Sequence, residues 1–79
     1  MINATKFYQA SLAKQREVIK DAIKTAMDTG DPIIELPFDT YPIIEEEMED
    51  LGYEYDYYEN EETGKRYAIF YPKQYNYDN

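Results

Sequence analysis

The residues of this chain that could do chemistry are carboxylates and phenols, concentrated in one stretch. Between Glu45 and Glu62 there are ten acidic residues and no Lys or Arg, with tyrosines among the acids. The acids are Glu45, Glu46, Glu47, Glu49, Asp50, Glu54, Asp56, Glu59, Glu61 and Glu62, and the tyrosines are Tyr53, Tyr55, Tyr57 and Tyr58. Like charges at this density repel one another and add little stability. The stretch therefore indicates a solubility or recognition requirement and favours a binding protein.

Few residues are available for catalysis. The sequence contains no histidine and no cysteine, and its one serine, Ser11, falls inside a predicted helix where no base is at hand. Paired carboxylates can do glycosidase-type acid–base chemistry, but a chain of 79 residues is barely large enough to hold one core beside a substrate cleft. We predict that the protein is not an enzyme and has no catalytic residues.

A calcium loop is the metal site that the acids most resemble. Asp56, Asn60 and Glu62 suggest one superficially, but an EF-hand needs oxygen ligands at alternating positions followed by glycine. Tyr58 and Glu61 occupy two of the required positions. The sequence therefore predicts no metal site and no cofactor.

The charge is divided unequally along the chain. Residues 1–30 carry five basic and three acidic residues, a balance of +2, whereas residues 31–79 carry three basic and fourteen acidic residues, a balance of -11. A field of this sign repels phosphate backbones and attracts basic protein surfaces, over a range that salt shortens. We expect a basic protein surface as the partner and no direct binding of nucleic acid.

Composition also predicts where the protein works. No apolar run approaches the ~20 residues of a membrane span, and residues 1–10 lack the basic start and apolar centre of a signal peptide. The absence of cysteine excludes a disulfide scaffold. We expect a cytoplasmic protein that does not contact membranes, and its small size makes a homodimer an alternative to a monomer.

Two helices are predicted to position these residues. The first begins at a cap provided by Asn3 or Thr5, runs toward Asp28 and ends at Gly30 and Pro32. Its apolar stripe consists of Tyr8, Leu12, Ile19, Ile23 and Ala26. The second follows a cap at Asp39 or Thr40, has Pro42 in its first turn and ends at Gly52. Its buried stripe is predicted to be Ile44, Met48 and Leu51.

Three strands complete the predicted fold. Residues 33–36 form a short edge strand of about four residues that Pro37 ends. Residues 53–58 alternate tyrosine with acid, residues 67–71 return as a second strand, and Gly64 supplies the turn of a hairpin between them. The predicted fold class is α+β, with two helices packed on a small, mainly antiparallel sheet in the order α-β-α-β-β. Residues 1–72 form the single domain, and residues 73–79 form a loosely ordered polar tail.

The hairpin register predicts which side chains face outward. With Tyr57 opposite Ile69 and Tyr55 opposite Tyr71, these four side chains would face the helices. The other face would carry Glu54, Asp56, Tyr58, Ala68 and Phe70. Tyrosines serve both in cores and in interfaces. We assign Tyr53, Tyr55, Tyr57, Tyr67 and Tyr71 to the core, and Tyr58, Phe70, Tyr75 and Tyr77 to recognition.

The chain as a whole resembles the small acidic α+β proteins of bacteriophages, some of which inhibit host defence enzymes by imitating DNA. The resemblance rests on the shortness of the chain, the lack of cysteine and histidine, the Leu51-Gly52-Tyr53 junction, the hairpin through Thr63-Gly64-Lys65, and the acid run. It implies an inhibitor in the host cytoplasm that blocks a basic, nucleic-acid-binding groove of a host protein. The partner-binding residues would be Glu45, Glu46, Glu49, Glu54, Asp56, Tyr58, Glu59, Glu61, Glu62 and Phe70.

Three other functions fit the same residues. The protein could be a structural or accessory protein that assembles through the face containing Tyr58 and Phe70. It could be a homodimeric adaptor that binds a host protein without imitating DNA, its basic first helix meeting the acidic half of a second copy. It could also sequester a small ligand in a tyrosine-lined interface pocket.

Overall fold

The computed structural model of the protein describes residues 1–75. Its elements are α1 (Ala4–Thr29), β1 (Ile34–Glu35), α2 (Pro42–Asp50), β2 (Tyr53–Glu59) and β3 (Arg66–Pro72). The strands form one antiparallel sheet in the order β1-β3-β2. The predicted α+β class and the order of elements along the chain are confirmed.

Helix α1 forms as its sequence predicts. The side chain of Asn3 caps it by accepting a hydrogen bond from the backbone N–H of Lys6 at 2.9 Å. Gly30 ends it with a positive φ of 76°, a conformation that glycine adopts without steric cost. Of the predicted apolar stripe, Leu12 and Ile19 are buried and Ile23 and Ala26 pack against the core, but Tyr8 is 41% exposed.

Helix α2 begins differently from the prediction. Its N-cap residue is Tyr41, with no side-chain cap, so the expected cap at Asp39 or Thr40 is wrong. The Thr40 side chain is buried, and its hydroxyl donates to Glu45 Oε2 at 3.4 Å instead. Pro42 occupies the first turn, where its missing N–H costs nothing.

The buried stripe of α2 is shorter than predicted. Ile44 and Met48 are buried, but Leu51 is 73% exposed. Leu51 is the C-cap residue, and its N–H still donates to the carbonyl of Glu47 at 3.2 Å, so it keeps the helical spacing. It lies beyond the buried part of the stripe and lines an open pocket between α1 and α2. Gly52 then turns the chain into β2 with a φ of 98°.

The register of the hairpin is shifted by one residue from the prediction. Tyr55 lies opposite Phe70 and Tyr57 opposite Ala68. The turn explains the shift, because the N–H of Asn60 donates to the carbonyl of Lys65 at 2.8 Å. That bond closes a four-residue loop, 61–64, one residue longer than the predicted register requires.

A shift of one residue moves every side chain of a strand to the other face of the sheet. Ala68 and Phe70 therefore face the helices, and both have an exposed fraction of 0%. The predictions that Phe70 and Ala68 lie on the outer surface, and that Ile69 and Tyr71 face the helices, are wrong. Tyr53 and Tyr55 do pack against the core, as predicted. The assignment of Tyr57 to the core is wrong, because its side chain is 48% exposed.

The core lies between the two helices and one face of the sheet. Its largest fully buried side chains are Phe70, Leu36 and Ile44. Strand β1 has two residues rather than four, but pairing with β3 resumes after it. The N–H of Leu36 donates to the carbonyl of Ala68, and the N–H of Ala68 donates to the carbonyl of Phe38, both at 2.9 Å.

The molecule measures 48 × 30 × 21 Å, because α1 alone is about 39 Å long at 1.5 Å per residue. Within residues 1–75, no helix combines the length and the apolar character needed to cross a membrane. At the end of the described chain, the N–H of Lys73 donates to the carbonyl of Gly52 at 3.0 Å. The rest of the predicted tail, residues 76–79 with Tyr77, lies outside the described residues.

Candidate protein-binding surface

The helices cover one face of the sheet, and the opposite face is here called the outer face. In a pleated sheet successive side chains alternate between faces, and the face of Phe70 is the one packed on the helices. The outer face therefore carries the alternate set of side chains. These are Glu35 of β1, Glu54, Asp56 and Tyr58 of β2, and Tyr67, Ile69 and Tyr71 of β3.

An ordered pair of tyrosines lies on the outer face. Tyr58 and Tyr67 are opposite each other in the register and stack with ring centroids 5.0 Å apart and planes 22° apart. The Tyr58 hydroxyl donates to Glu35 Oε1 at 2.7 Å. This hydrogen bond raises the pKa of Tyr58. The contacts hold the 41% exposed Tyr58 ring in one orientation across β3.

The aromatic residue opposite Tyr58 is thus Tyr67, whereas the sequence led us to expect Phe70 among the partner-binding residues. The character of the predicted surface, aromatic rings bordered by carboxylates, is present with different residues. Ile69 is 8% exposed on this face and lies between Asp56 and Glu35 in the register. Tyr75, another predicted recognition residue, is 37% exposed and makes an edge-on contact with Tyr71.

The acids of the hairpin point into solvent. Glu54, Glu59, Glu61 and Glu62 are exposed and Asp56 is half-buried. No Lys or Arg of residues 1–75 forms an ion pair with any of these five acids. The carboxylate of Asp56 accepts a hydrogen bond from the N–H of Tyr57 at 2.7 Å. Most of the charge on the hairpin is therefore not neutralised within the described part of the molecule.

The acids of α2 lie on the other side of the sheet, among the helices. Glu46, Glu49 and Asp50 are exposed, and Glu45 and Glu47 contact other elements. The predicted partner-binding residues therefore do not form one surface. The outer face and the loop 61–64 hold Glu54, Asp56, Tyr58, Glu61 and Glu62, while Glu45, Glu46 and Glu49 belong to the helical side.

Glu47 joins the two helices. Its Oε1 and Oε2 accept from Arg16 Nε at 2.9 and 3.0 Å, and Arg16 Nη2 lies 2.8 Å from Oε1. The hydrogen bond from Arg16 lowers the pKa of Glu47. One acid of the run is thus part of the structure, and its charge is matched by a guanidinium from α1.

Glu45 has the opposite environment. It is half-buried, and its burial raises its pKa, against the effect of the hydrogen bond from Thr40. The nearest base on the hairpin, Arg66, is already engaged, since its Nε lies 3.7 Å from Asp39 and its Cζ lies 3.9 Å above the ring of Tyr57. Glu45 is therefore more a part of the fold than of an exposed surface.

An apolar groove lies between α1 and α2. It has a volume of about 290 Å³ and is lined mainly by Ile19, Ile23, Ile44, Met48 and Leu51, with Arg16, Lys20 and Glu47 at its rim. The size is at the lower end of the range for small-molecule sites, about 300–1,000 Å³. No tyrosine of residues 1–75 lines it, unlike the ligand pocket that the sequence suggests. In residues 1–75, no three acidic side chains converge as metal ligands would.

Comparison of the chain with protein-family models, with curated proteins and with solved structures finds no match. The described residues form an α+β domain whose outer sheet face carries an aromatic pair beside acidic residues.

Proposed function

We propose that the protein is an acidic binding module that occupies a basic, nucleic-acid-binding surface of another protein and blocks it by charge mimicry. In a phage-infected bacterium such a protein would act on a host protein in the cytoplasm. The observation that carries the proposal is the exposed hairpin charge, which has no internal ion-pair partner among residues 1–75.

The outer face supports a protein partner. Protein interfaces are enriched in tyrosine at their centres and depleted of acids there, which collect at the rim. Tyr58 and Tyr67 provide a stacked aromatic pair. Glu35 bonds to Tyr58, Asp56 is the next outer-face residue along β2, and Glu54 follows two residues further on. Because Tyr58 is already held by Glu35, its ring would lose little freedom on binding.

The spacing of the acids is compatible with phosphate mimicry. Glu54 and Asp56 are two residues apart on a strand, so they repeat at about 6.5–7 Å. Arg and Lys side chains that bind phosphate accept carboxylates in the same way, and Arg does so with a bidentate fork. In this proposal Glu54 and Asp56 are the two carboxylates of the outer face that take the places of successive phosphates in a basic groove.

A charge variant tests the proposal. Glu54→Gln, Asp56→Asn, Glu59→Gln and Glu61→Gln are combined in one chain, which removes four charges and keeps the side-chain acceptors. Wild-type protein on a column should retain basic nucleic-acid-binding proteins from a bacterial lysate at low salt, and the purified partner should lose its DNA binding when the wild type is added. The variant should do neither.

The matched control carries the same number of neutralised acids elsewhere. Glu17→Gln, Asp21→Asn, Asp28→Asn and Asp31→Asn are all exposed positions on α1 or just after it. This control should bind as wild type does. Equal binding by the hairpin variant, or equal loss in the control, contradicts the proposal, because the position of the charge would then be irrelevant.

Self-assembly through the outer face is a second candidate. Tyr58 and Tyr67 occupy a sheet face on which no helix of residues 1–75 packs. Two copies with a net charge of -9 each repel, so this assembly should strengthen with salt, whereas binding to a basic partner should weaken. Mass measured by light scattering at low and high salt distinguishes the two.

A further inference from the structure

The two edges of the sheet are very different. β1 has two residues, and β2 has seven. β2 pairs with β3 along its whole length without a bulge, contains no proline or lysine, and has β3 as its one strand neighbour within residues 1–75. Short strands, bulges, proline and lysine are the usual means of closing an edge to further pairing.

The direction of the backbone groups on β2 follows from the bonds at its two ends. The carbonyl of Gly52 accepts from Lys73, and the N–H of Asn60 donates to Lys65. In an antiparallel ladder the residues that bond to the neighbour alternate with residues that point away. Even-numbered residues of β2 therefore bond to β3, and the odd-numbered residues direct their N–H and C=O groups to the open edge. These are Tyr53, Tyr55, Tyr57 and Glu59.

Two further contacts agree with this assignment. Ala68, opposite Tyr57, directs both its N–H and its C=O toward the β1 side, so it does not bond to Tyr57. The N–H of Tyr57 instead donates to Asp56 Oδ1 at 2.7 Å. Of the residues at the open edge, Tyr53, Tyr55 and Glu59 therefore have N–H groups that are bonded neither to β3 nor to a side chain of residues 1–75.

We propose that the open edge of β2 binds an extended segment of a basic protein as an additional strand, in which Lys or Arg alternates with apolar residues. The inference rests on the proposed function, and it specifies the form of the partner. Pairing would bond the segment to Tyr55 and Glu59, and β-augmentation of this kind derives its affinity from main-chain bonds.

The charge of β2 determines which kind of strand can pair with its open edge. β2 carries Glu54, Asp56 and Glu59 and no base, so two copies paired at this edge would bring six carboxylates together. A basic strand instead places its Lys or Arg side chains about 4.5–5.5 Å from Glu54 and Asp56 on the outer face. Its apolar side chains fall on the face of Tyr55 and Tyr57. The acids thus oppose self-pairing and favour a basic strand.

The test uses a synthetic peptide of seven residues, matching the length of β2, with the sequence Lys-Val-Arg-Val-Lys-Val-Arg and blocked ends. Two N-methylated forms are matched controls. In one form the backbone amides of the first, third, fifth and seventh residues are methylated, and in the other form those of the second, fourth and sixth. Whichever way the peptide runs along β2, one of the two forms lacks the N–H groups that would face β2. Both keep the charge.

We expect the unmodified peptide to bind at low salt and one methylated form to bind at least about tenfold more weakly than the other, a difference of about 1.4 kcal/mol. Hydrogen exchange of the Tyr55 and Glu59 amides should slow on binding, while those of Glu54 and Asp56 should change little.

Equal affinity of both methylated forms, or binding without protection of Tyr55 and Glu59, overturns the edge proposal. So does failure of the unmodified peptide to bind. The proposed function is judged separately, by capture of a basic protein on wild type and its loss in the hairpin charge variant. That result would stand even if the peptide failed.

Discussion

At the residue scale, Glu45 and Glu47 lie two positions apart on α2 and have opposite environments. Arg16 lowers the pKa of Glu47 through a hydrogen bond, and burial raises the pKa of Glu45. A dense run of acids therefore contains one side chain whose charge stabilises the fold and one whose charge is unfavourable. Their amide variants should shift stability in opposite directions.

Glu47→Gln should lower the melting temperature at pH 7. A carboxyl whose pKa is depressed in the folded state contributes stability above its unfolded pKa and loses it as the pH falls through the folded value. The gap between variant and wild type should therefore close on acidification. Thermal unfolding by circular dichroism at pH 7 and pH 3 measures it, and a gap that persists unchanged at pH 3 contradicts a role of the charge.

Glu45→Gln should raise the melting temperature at pH 7. Because the folded state holds the proton of Glu45 more tightly than the unfolded state, stability falls as the pH rises from the usual pKa of glutamate through the raised value. The glutamine removes this loss and can still accept from Thr40. Below the usual pKa both proteins should melt alike. Glu46→Gln, at an exposed neighbour, is the control and should have little effect.

At the element scale, the register of β3 determines which of its side chains lie in the core and which lie on the outer face. Phe70 has an exposed fraction of 0%, so Phe70→Ala should cost about 3–5 kcal/mol. The whole domain has a stability of only about 4–12 kcal/mol at typical values per residue. Phe70→Leu should cost less because it leaves a smaller cavity. Urea unfolding measures both, and a nearly neutral Phe70→Ala would instead support the register that the sequence suggested.

The hairpin loop should be sensitive to its glycine. Gly64 has a φ of 72° with open space where a side chain would be, so Gly64→Ala should cost about 1–2 kcal/mol from backbone strain alone. Asparagine tolerates this conformation better than alanine does. Gly64→Asn should therefore lie closer to wild type in urea unfolding, and equal losses for the two variants would mean that strain is not the cause.

These elements show what the sequence could predict. The Asn3 cap and the apolar spacing identify α1, whereas Pro42 and the spacing of Ile44 and Met48 identify α2 although its predicted cap is wrong. The alternation of tyrosine with acid identifies β2 and the faces of its side chains. The run of β3, from Tyr67 to Tyr71, is apolar or aromatic at every position, so its pattern does not reveal which side faces the helices. The length of the hairpin loop determines which face of β3 packs on the helices. The glycine of the turn is compatible with a loop of three or of four residues. The Asn60 side chain was the available signal for the longer loop, because its Oδ1 accepts hydrogen bonds from the N–H groups of Glu62 and Thr63 inside the loop.

The residues of the outer face were predictable only where the local sequence pattern is clear. The acids and Tyr58 were predictable because they lie on the strand with the clear alternation. Phe70 was misplaced because the face of β3 was assigned wrongly. The aromatic residue that shares the outer face with Tyr58, and lies directly opposite it, is Tyr67. The hydrogen bond between Tyr58 and Glu35 joins residues 23 positions apart, and no local pattern predicts such a contact.

At the scale of the whole molecule, the basic and acidic residues lie on different elements. The long α1 carries most of the basic residues, and one of them is used to hold α2 through Glu47. Arg66 of the hairpin contacts Asp39 and Tyr57. The hairpin carries five acids against Lys65 and Arg66, so its field is negative on balance, which suits attraction of a basic partner at the expense of self-repulsion.

That self-repulsion predicts an unusual response to salt. Sodium chloride shortens the screening length from about 10 Å at 0.1 M to about 3 Å at 1 M, so the melting temperature of the wild type should rise over this range. The hairpin charge variant with four amides should melt higher at low salt and respond less. The control with four amides on and after α1 should keep the wild-type slope, because its changes lie where the charge is nearly balanced. Scanning calorimetry at several salt concentrations measures all three proteins. A wild-type melting temperature that falls with salt would mean that ion pairs, such as Arg16 with Glu47, outweigh the repulsion among the hairpin acids.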